Sequence, residues 1–418
     1  MGTDLSRNRW GNEFSLYIHV PFCRSFCDYC DFYSVLLKEG ALAPSPLVNA
    51  YIDALLADGE ILLGEFPGCK VPTVYIGGGD PAALGADGIS RLLGGLGALL
   101  PPDDSREFTL EANPESADRA FLLASREGGV NRLSLGVQSF NRASRALVHR
   151  GGDPELLERR LGLAAEIFPG AFSADLMAGL PRQNRDVLLD DIEKTLARKP
   201  AHLSLYALTV EEDTPLGRAV EQGLPAAALL PSPDEADAAW IAGRDALEKA
   251  GYGQYEVSNF RLPGKESRHN LRYWRMENWL GLGPAASGTL IDDRSGTGLR
   301  LSWPADLEGW LAQAPLRGKS RSGFLSGRDG WPPAEALDRL TLMKESILMG
   351  FRYLEGPGAL FSRRFGLSLE EAIPRTLEKW RQRGRLAENR SALNREGILS
   401  LNPFLLDAFD ELAKRPAG

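Results

Sequence analysis

The sequence predicts an α/β fold: a partial barrel of six strand–helix units, followed by a small, mainly helical, winged-helix-like C-terminal domain. Three observations carry that expectation. Apolar, β-branched or aromatic runs alternate with helix-period segments up to about residue 250, the pattern of a parallel sheet with crossover helices. Chemically unusual segments follow directly on those runs, where βα folds carry their reactive residues. An aperiodic Gly-, Arg- and Ser-rich stretch near 315–333 then separates a second set of helix-period segments.

The strand-like runs are LYIHV (16–20), TVYIG (73–77), EFTLEA (107–112), RLSLGV (132–137), FSADLM (172–177) and HLSLYALT (202–209). Helix-period segments fall at about 46–63, 87–100, 116–127, 153–166, 186–198 and 234–250. Six units are too few for a full eight-fold barrel, so an open barrel is expected. Residues 211–233, rich in acids, prolines and alanines, read as a long surface connection. The expected domains are 1–312, with an extension over 251–300, a linker over 313–333 and a C-terminal domain over 334–418. In that last domain helical patterns at 334–349 and 370–384 precede strand-like pieces at 385–387 and 398–401 and a final amphipathic helix.

The 418 residues carry 48 basic and 56 acidic side chains, a net charge of −8. No global positive field exists to hold a polyanion, so nucleic acid is not an expected partner. The apolar run at 92–100 is interrupted by glycines and is shorter than the roughly 18 residues a bilayer requires. With no signal-like segment ahead of the first strand, a cytoplasmic, reducing location is expected.

Of four cysteines, three lie within eight residues as Cys23-x3-Cys27-x2-Cys30. Disulfides in so short a loop would be strained, which leaves metal or redox chemistry. Three thiolates leave one coordination position open, where a cofactor or substrate can bind. Cys69 precedes the second strand, at the opposite end of the sheet. Zinc with His19 as fourth ligand stays open at this point, and with it a zinc-stabilised adaptor. Phe22, Phe26, Tyr29 and Phe32 are expected to surround the sulfurs with apolar bulk.

YIHVPFCRSFCDYC resembles the radical S-adenosylmethionine (SAM) signature, and the preceding YIHVPFC is similar to the oxygen-independent coproporphyrinogen III oxidase group. The likeness continues through GGGDP, LEANP, NRLSLGVQSF, DLMAGLP and LSLYALT. It implies a radical SAM partial barrel with a [4Fe-4S] cluster on Cys23, Cys27 and Cys30, and SAM on the fourth iron. By the same resemblance Tyr17 and Tyr29 lie against the cofactor and Gly78, Gly79 and Asp80 line its methionyl group. Glu111, Gln138, Arg150 and Asp175 occupy the remaining SAM positions. Asp80 stands where the family usually has threonine; it is expected to accept from the SAM ammonium and to add negative charge beside the cluster.

Two functions diverge within this group. Oxidases carry a further cysteine two residues after the third, here Phe32, and an N-terminal arm, whereas only a short segment precedes the first strand here. His269-Asn270-Leu271-Arg272-Tyr273-Trp274 resembles the HNxxYW motif of the haem-chaperone branch, the HemW proteins. That resemblance implies haem ligation by His269, with Asn270, Tyr273 and Trp274 beside it. Arg261, Lys265, Arg268, Arg272 and Arg275 form a basic stripe suited to porphyrin propionates. The expected function is a haem chaperone binding a [4Fe-4S] cluster, SAM and haem, with oxidative decarboxylation of coproporphyrinogen III as the alternative. Haemoprotein recipients and an electron donor are the implied partners; a homodimer and peripheral membrane contact stay open.

Overall fold

The computed structural model describes residues 9–37, 45–100, 102–225, 227–319, 324–326, 330–388 and 391–415. Six parallel strands lie side by side in chain order: β1 (Ser15–Val20), β2 (Thr73–Gly78), β3 (Glu107–Ala112), β4 (Arg132–Gln138), β5 (Phe172–Ala178) and β6 (His202–Ala207). The crossover helices include α1 (Pro46–Glu65), α2 (Gly85–Leu99), α3 (Arg119–Glu127), α4 (Arg142–Leu147), α5 (Pro154–Ile167) and α6 (Arg185–Leu196). Their starts are written in the sequence: Ser45, Asp118, Asp153 and Asn184 each accept a hydrogen bond from the backbone N–H three residues on.

Each strand buries both faces, but not alike. Leu16, Ile18, Val74, Ile76, Leu110, Leu133, Leu135, Ala174, Leu176, Leu203 and Leu205 join the main hydrophobic core. The alternate positions are polar and meet across strands: Ser15 with Thr73, Tyr75 with Glu111, Ser134 with Asp175, Ser173 with His202. Leucine-rich faces pack under the helices, and hydrogen-bonding side chains line the other, inner face.

The sheet does not end with the six strands. After α7 (Pro215–Glu221) and α8 (Pro233–Lys249), the strand β8 (Asn259–Arg261) adds antiparallel to β6, and β7 (Gly253–Gln254) pairs antiparallel with β8 at the edge. Beyond α9 (Arg268–Trp274), β9 (Trp279–Leu282) runs parallel to β1, and β10 (Ser287–Asp292), β11 (Thr297–Ser302) and β12 (Ala334–Leu337) continue outward as antiparallel strands. The expected boundary at 334 therefore falls inside the sheet. The connection expected over 211–233 also contains α7, and of the expected linker, 320–323 and 327–329 lie outside the described residues.

Past α10 (Leu307–Arg317), the C-terminal region is α11 (Arg339–Gly350), α12 (Gly358–Phe365), α13 (Leu369–Ala372), α14 (Pro374–Gln382) and α15 (Leu401–Ala413). It has its own core around Ile347, Phe351, Trp380 and Phe404, to which the sheet contributes Ile291 and Leu337. The expected terminal hairpin is reduced to one antiparallel bridge, Leu386 with Leu393. Residues 398–400 form a 3₁₀ turn instead, leading directly into α15. No described helix is long and apolar enough to cross a membrane.

Candidate functional site

The cysteine loop leaves β1 and is clasped at its base, where Phe22–Cys23 pairs with Val35–Leu36. Its middle is fixed from outside: the Asp28 amide donates to Val148 O (3.0 Å), the Leu216 amide at the start of α7 donates to Asp28 O (2.8 Å), and His149 Nδ1 lies 2.8 Å from Asp28 Oδ2. Cys27 is buried, Cys23 and Cys30 partly so, and all are free thiols. Burial pushes the Cys23 thiol up to about 12 and raises Cys30 as well. Phe22 is buried, but Phe26 and Phe32 are 50% and 65% exposed. The expected apolar coat is thus half inverted, with two aromatic rings turned to solvent.

Arg150 reaches this loop from the turn after α4. Its Nη1 lies 3.4 Å from Cys27 Sγ, and its Nη2 donates to Asn113 Oδ1 (2.7 Å) and Gly136 O (2.6 Å). Burial works against its charge, yet Tyr29, Glu115 and Cys27 more than offset that and hold it strongly cationic. The resemblance made Arg150 a SAM contact; here it is a clamp between the Cys27 sulfur and the ends of β3 and β4.

The glycine turn at the end of β2 packs against the same loop. The Gly79 amide donates to Val20 O and that of Asp80 to Phe22 O. Gly78 has φ +108°, and a Cβ there would lie 2.6 Å from the His19 ring. At Gly79 a Cβ would lie 2.6 Å from Phe22 O and 3.1 Å from Cys23 Sγ. Asp80 departs from expectation, because its carboxylate is enclosed and Oδ1 accepts from the amides of Ala82 (3.2 Å) and Asn113 (3.1 Å). Burial raises its pKa against the pull of Ser116, the Asn113 amide and Arg150. Among the described residues its Oδ2 has no hydrogen-bond partner.

Below the turn the inner wall carries the remaining candidates. Tyr17 OH meets His19 Nδ1 at 3.0 Å, and its ring stacks on Tyr75. Tyr75 OH donates to Glu111, whose carboxyl is pushed up to about 7 by burial with Asp175 adding to it. Both Asp175 oxygens accept from Ser134 Oγ, 3.0–3.1 Å away, and burial raises this acid too. Gln138 sits at a register shift between β4 and β5 with φ +66°. Its buried Oε1 has no partner among the described residues.

The haem motif lies at the opposite end. Glu107, the first residue of β3, accepts from the Arg268 amide (3.0 Å) and the His269 amide (2.8 Å), anchoring α9 across the starts of the strands. His269 is 0% exposed; Thr73 Oγ1 lies 2.8 Å from Nδ1 and Tyr273 OH 2.8 Å from Nε2. The strands put it on the order of 15 Å from the cysteine loop, at about 3.3 Å per residue. The expected haem ligand is therefore a floor residue with both ring nitrogens engaged and, in this arrangement, none left for iron. Asn270 is half-buried behind its cap Ser267, and Trp274 packs against Tyr255, Leu271 and Tyr353. The basic stripe is largely spent as well: Arg261 pairs with Glu266, Arg272 with Glu13 and Glu277, Arg268 donates to Ser105 O and Arg275 to Tyr353.

The cysteine end thus offers three thiols on one clamped loop, a turn that side chains would fill, and oxygens on Asp80 and Gln138 that are buried and unpartnered among the described residues. Those features fit a bound cluster with an amino-acid-bearing cofactor beside it. No three His, Cys, Asp or Glu side chains among the described residues share single-ion spacing, the geometry a zinc adaptor needs; a cluster spreads its thiolates over separate irons. Cys69 lies away from the loop, between α1 and β2. The sequence reading missed Tyr75, although its place in TVYIG faces the same way as Tyr17, and it missed the bond between His149 and Asp28, which no spacing announces.

The radical SAM superfamily model matches residues 17–195. The haem chaperone HemW of Escherichia coli is 36% identical over 274 residues, covering 66% of this chain and 69% of that protein. HemW of Bacillus subtilis is 30% identical, covering 91% and 94%. The mouse mitochondrial radical S-adenosyl methionine domain-containing protein 1 is 36% identical, covering 81% and 73%. Among solved structures, Escherichia coli coproporphyrinogen III oxidase (HemN) superposes with a TM-score of 0.76 at 22% identity, over 97% of this chain and 92% of that one.

Proposed function

This chain belongs to the radical SAM superfamily, in the group that unites HemW haem chaperones with HemN-like proteins, and from that premise we propose that it is a cytoplasmic haem chaperone that hands haem to apo-haemoproteins. Kinship is the main support: curated relatives matched over two thirds or more of their own length carry the name haem chaperone. Phe32, an exposed ring where oxidases of the group have a thiol, points the same way.

Membership implies a [4Fe-4S] cluster and SAM, and Cys23, Cys27 and Cys30 are the residues to hold the cluster. A cluster held by these three residues would supply an open coordination position and an electron for SAM. The chain does the rest. Arg150 keeps a cation against the Cys27 sulfur. Gly78 and Gly79 leave backbone room for the methionyl group, with Asp80 Oδ2 the nearby acceptor for its ammonium. Glu111, Gln138, Asp175, Tyr17 and Tyr29 supply polar and aromatic wall, and Phe22 and Cys27 are shut from water.

Anaerobic reconstitution followed by SAM and haem titrations tests this. About four irons and four sulfides per chain, a haem-induced Soret shift and transfer to an apo-haemoprotein are expected. Conversion of coproporphyrinogen III to protoporphyrinogen with reductant and SAM at enzyme-like rates would sink the proposal in favour of an oxidase.

A further inference from the structure

We propose that the haem iron is taken by His149, on the cysteine face, and not by His269 on the floor; this rests on the haem-chaperone function. The chain has four histidines. His19 is bonded by Tyr17 OH and Tyr33 O, His202 by Ser173 Oγ and Tyr255 OH, and His269 by Thr73 and Tyr273, so each has both ring nitrogens engaged in a buried position. A haem ligand needs a neutral imidazole with one lone pair free and room for a flat macrocycle beside it.

His149 meets both conditions. Its side chain is 73% exposed, and Nδ1 lies 2.8 Å from Asp28 Oδ2. A carboxylate only accepts, so Nδ1 carries the proton and the lone pair is left on Nε2, which has no hydrogen bond among the described residues. Metal-ligating histidines commonly donate their other ring N–H to a carboxylate in this way, which fixes the tautomer and raises basicity.

The backbone supports the same assignment. His149 has φ +50°, a left-handed conformation that costs a non-glycine residue about 1 kcal/mol or more. Neighbours on both sides hold it there: Val148 O accepts from the Asp28 amide, and Arg150 bonds Cys27. The same loop carries Phe26, two residues before Asp28, and Phe32, two after Cys30, both largely exposed and available as apolar surface for a porphyrin. Arg24 has no ion pair among the described residues and is an exposed cation for a propionate. A one-sided, solvent-facing site also suits a carrier that must release its cargo.

The test titrates haem into the cluster-reconstituted full chain and follows the Soret band. His149→Gly suits the positive φ and removes the ligand; His149→Gln can still donate to Asp28 but lacks the imidazole. His269→Gln can keep the bonds to Thr73 and Tyr273. We expect both His149 variants to lose the Soret shift or bind at least about tenfold more weakly, Asp28→Asn to weaken binding about tenfold, and His269→Gln to titrate like wild type. Unchanged titration in the His149 variants, or loss in His269→Gln alone, overturns the assignment while leaving a haem chaperone in place. A wild-type chain that takes up no haem removes the chaperone function itself.

Discussion

Arg150 concentrates at one residue what holds the cysteine loop. Arg150→Met would remove the cation at Cys27 and leave Asn113 Oδ1 and Gly136 O without their donor, two buried acceptors worth about 1–3 kcal/mol each. Reconstituted iron per chain should fall below half that of wild type, by iron and sulfide analysis, with a lower urea midpoint. Glu256 is a second single-residue test. It is fully buried beside its bridge partner Tyr353, and burial pushes its carboxyl up to about 8, against weaker pulls from backbone amides and Arg352. The folded state therefore holds a proton that the unfolded chain releases near pH 4.3. Its stabilising effect is complete below that pH and is lost as pH rises through 8. Glu256→Gln should match wild type near pH 4 and exceed it at pH 8 in urea denaturation. The cysteine spacing was plain in the sequence, whereas the fate of Asp80 and His269 was not: local pattern gives residue type, but burial and partners come from strands far away in the chain.

Among the elements, α9 shows how a motif is legible while its job is not. HNLRYW reads as a ligand-bearing surface, yet the Glu107 carboxylate takes the first amides of α9 and draws the helix onto the strand starts. Glu107→Gln weakens two charge-assisted bonds and should cost about 1–2 kcal/mol, measured by thermal unfolding. The crossover helices, by contrast, were readable to within a few residues because Ser45-Pro46, Asp153-Pro154 and Ser232-Pro233-Asp234-Glu235 announce their starts. The added strands β9 to β12 escaped notice. They are short, and their pairing with β1 is a long-range choice that periodicity does not encode.

At the scale of the molecule, two cores meet through apolar side chains from the sheet, Ile291 and Leu337, and through the buried guanidinium of Arg364. Arg364, at the end of α12, donates to Asp293 Oδ1 (2.8 Å) beyond β10 and to Met276 O (2.9 Å) after α9. Arg364→Ala leaves Met276 O without its donor, while Asp293 stays partly solvated, and should cost about 1–3 kcal/mol and split a single calorimetric transition into two. The barrel was foreseeable from the alternation of strands and helices, and the helical C-terminal region from its separate periodicity. Their junction was not, because it is made by side chains rather than by a linker. The two-faced strands carry a further consequence, for inheritance. Deleting one codon within β1 to β6 would turn leucines into the polar interior and carboxylates under the helices. Length changes should therefore be purged from the strands and from the start of α7, whose Leu216 amide holds the cysteine loop, and tolerated in the exposed turn that follows α7.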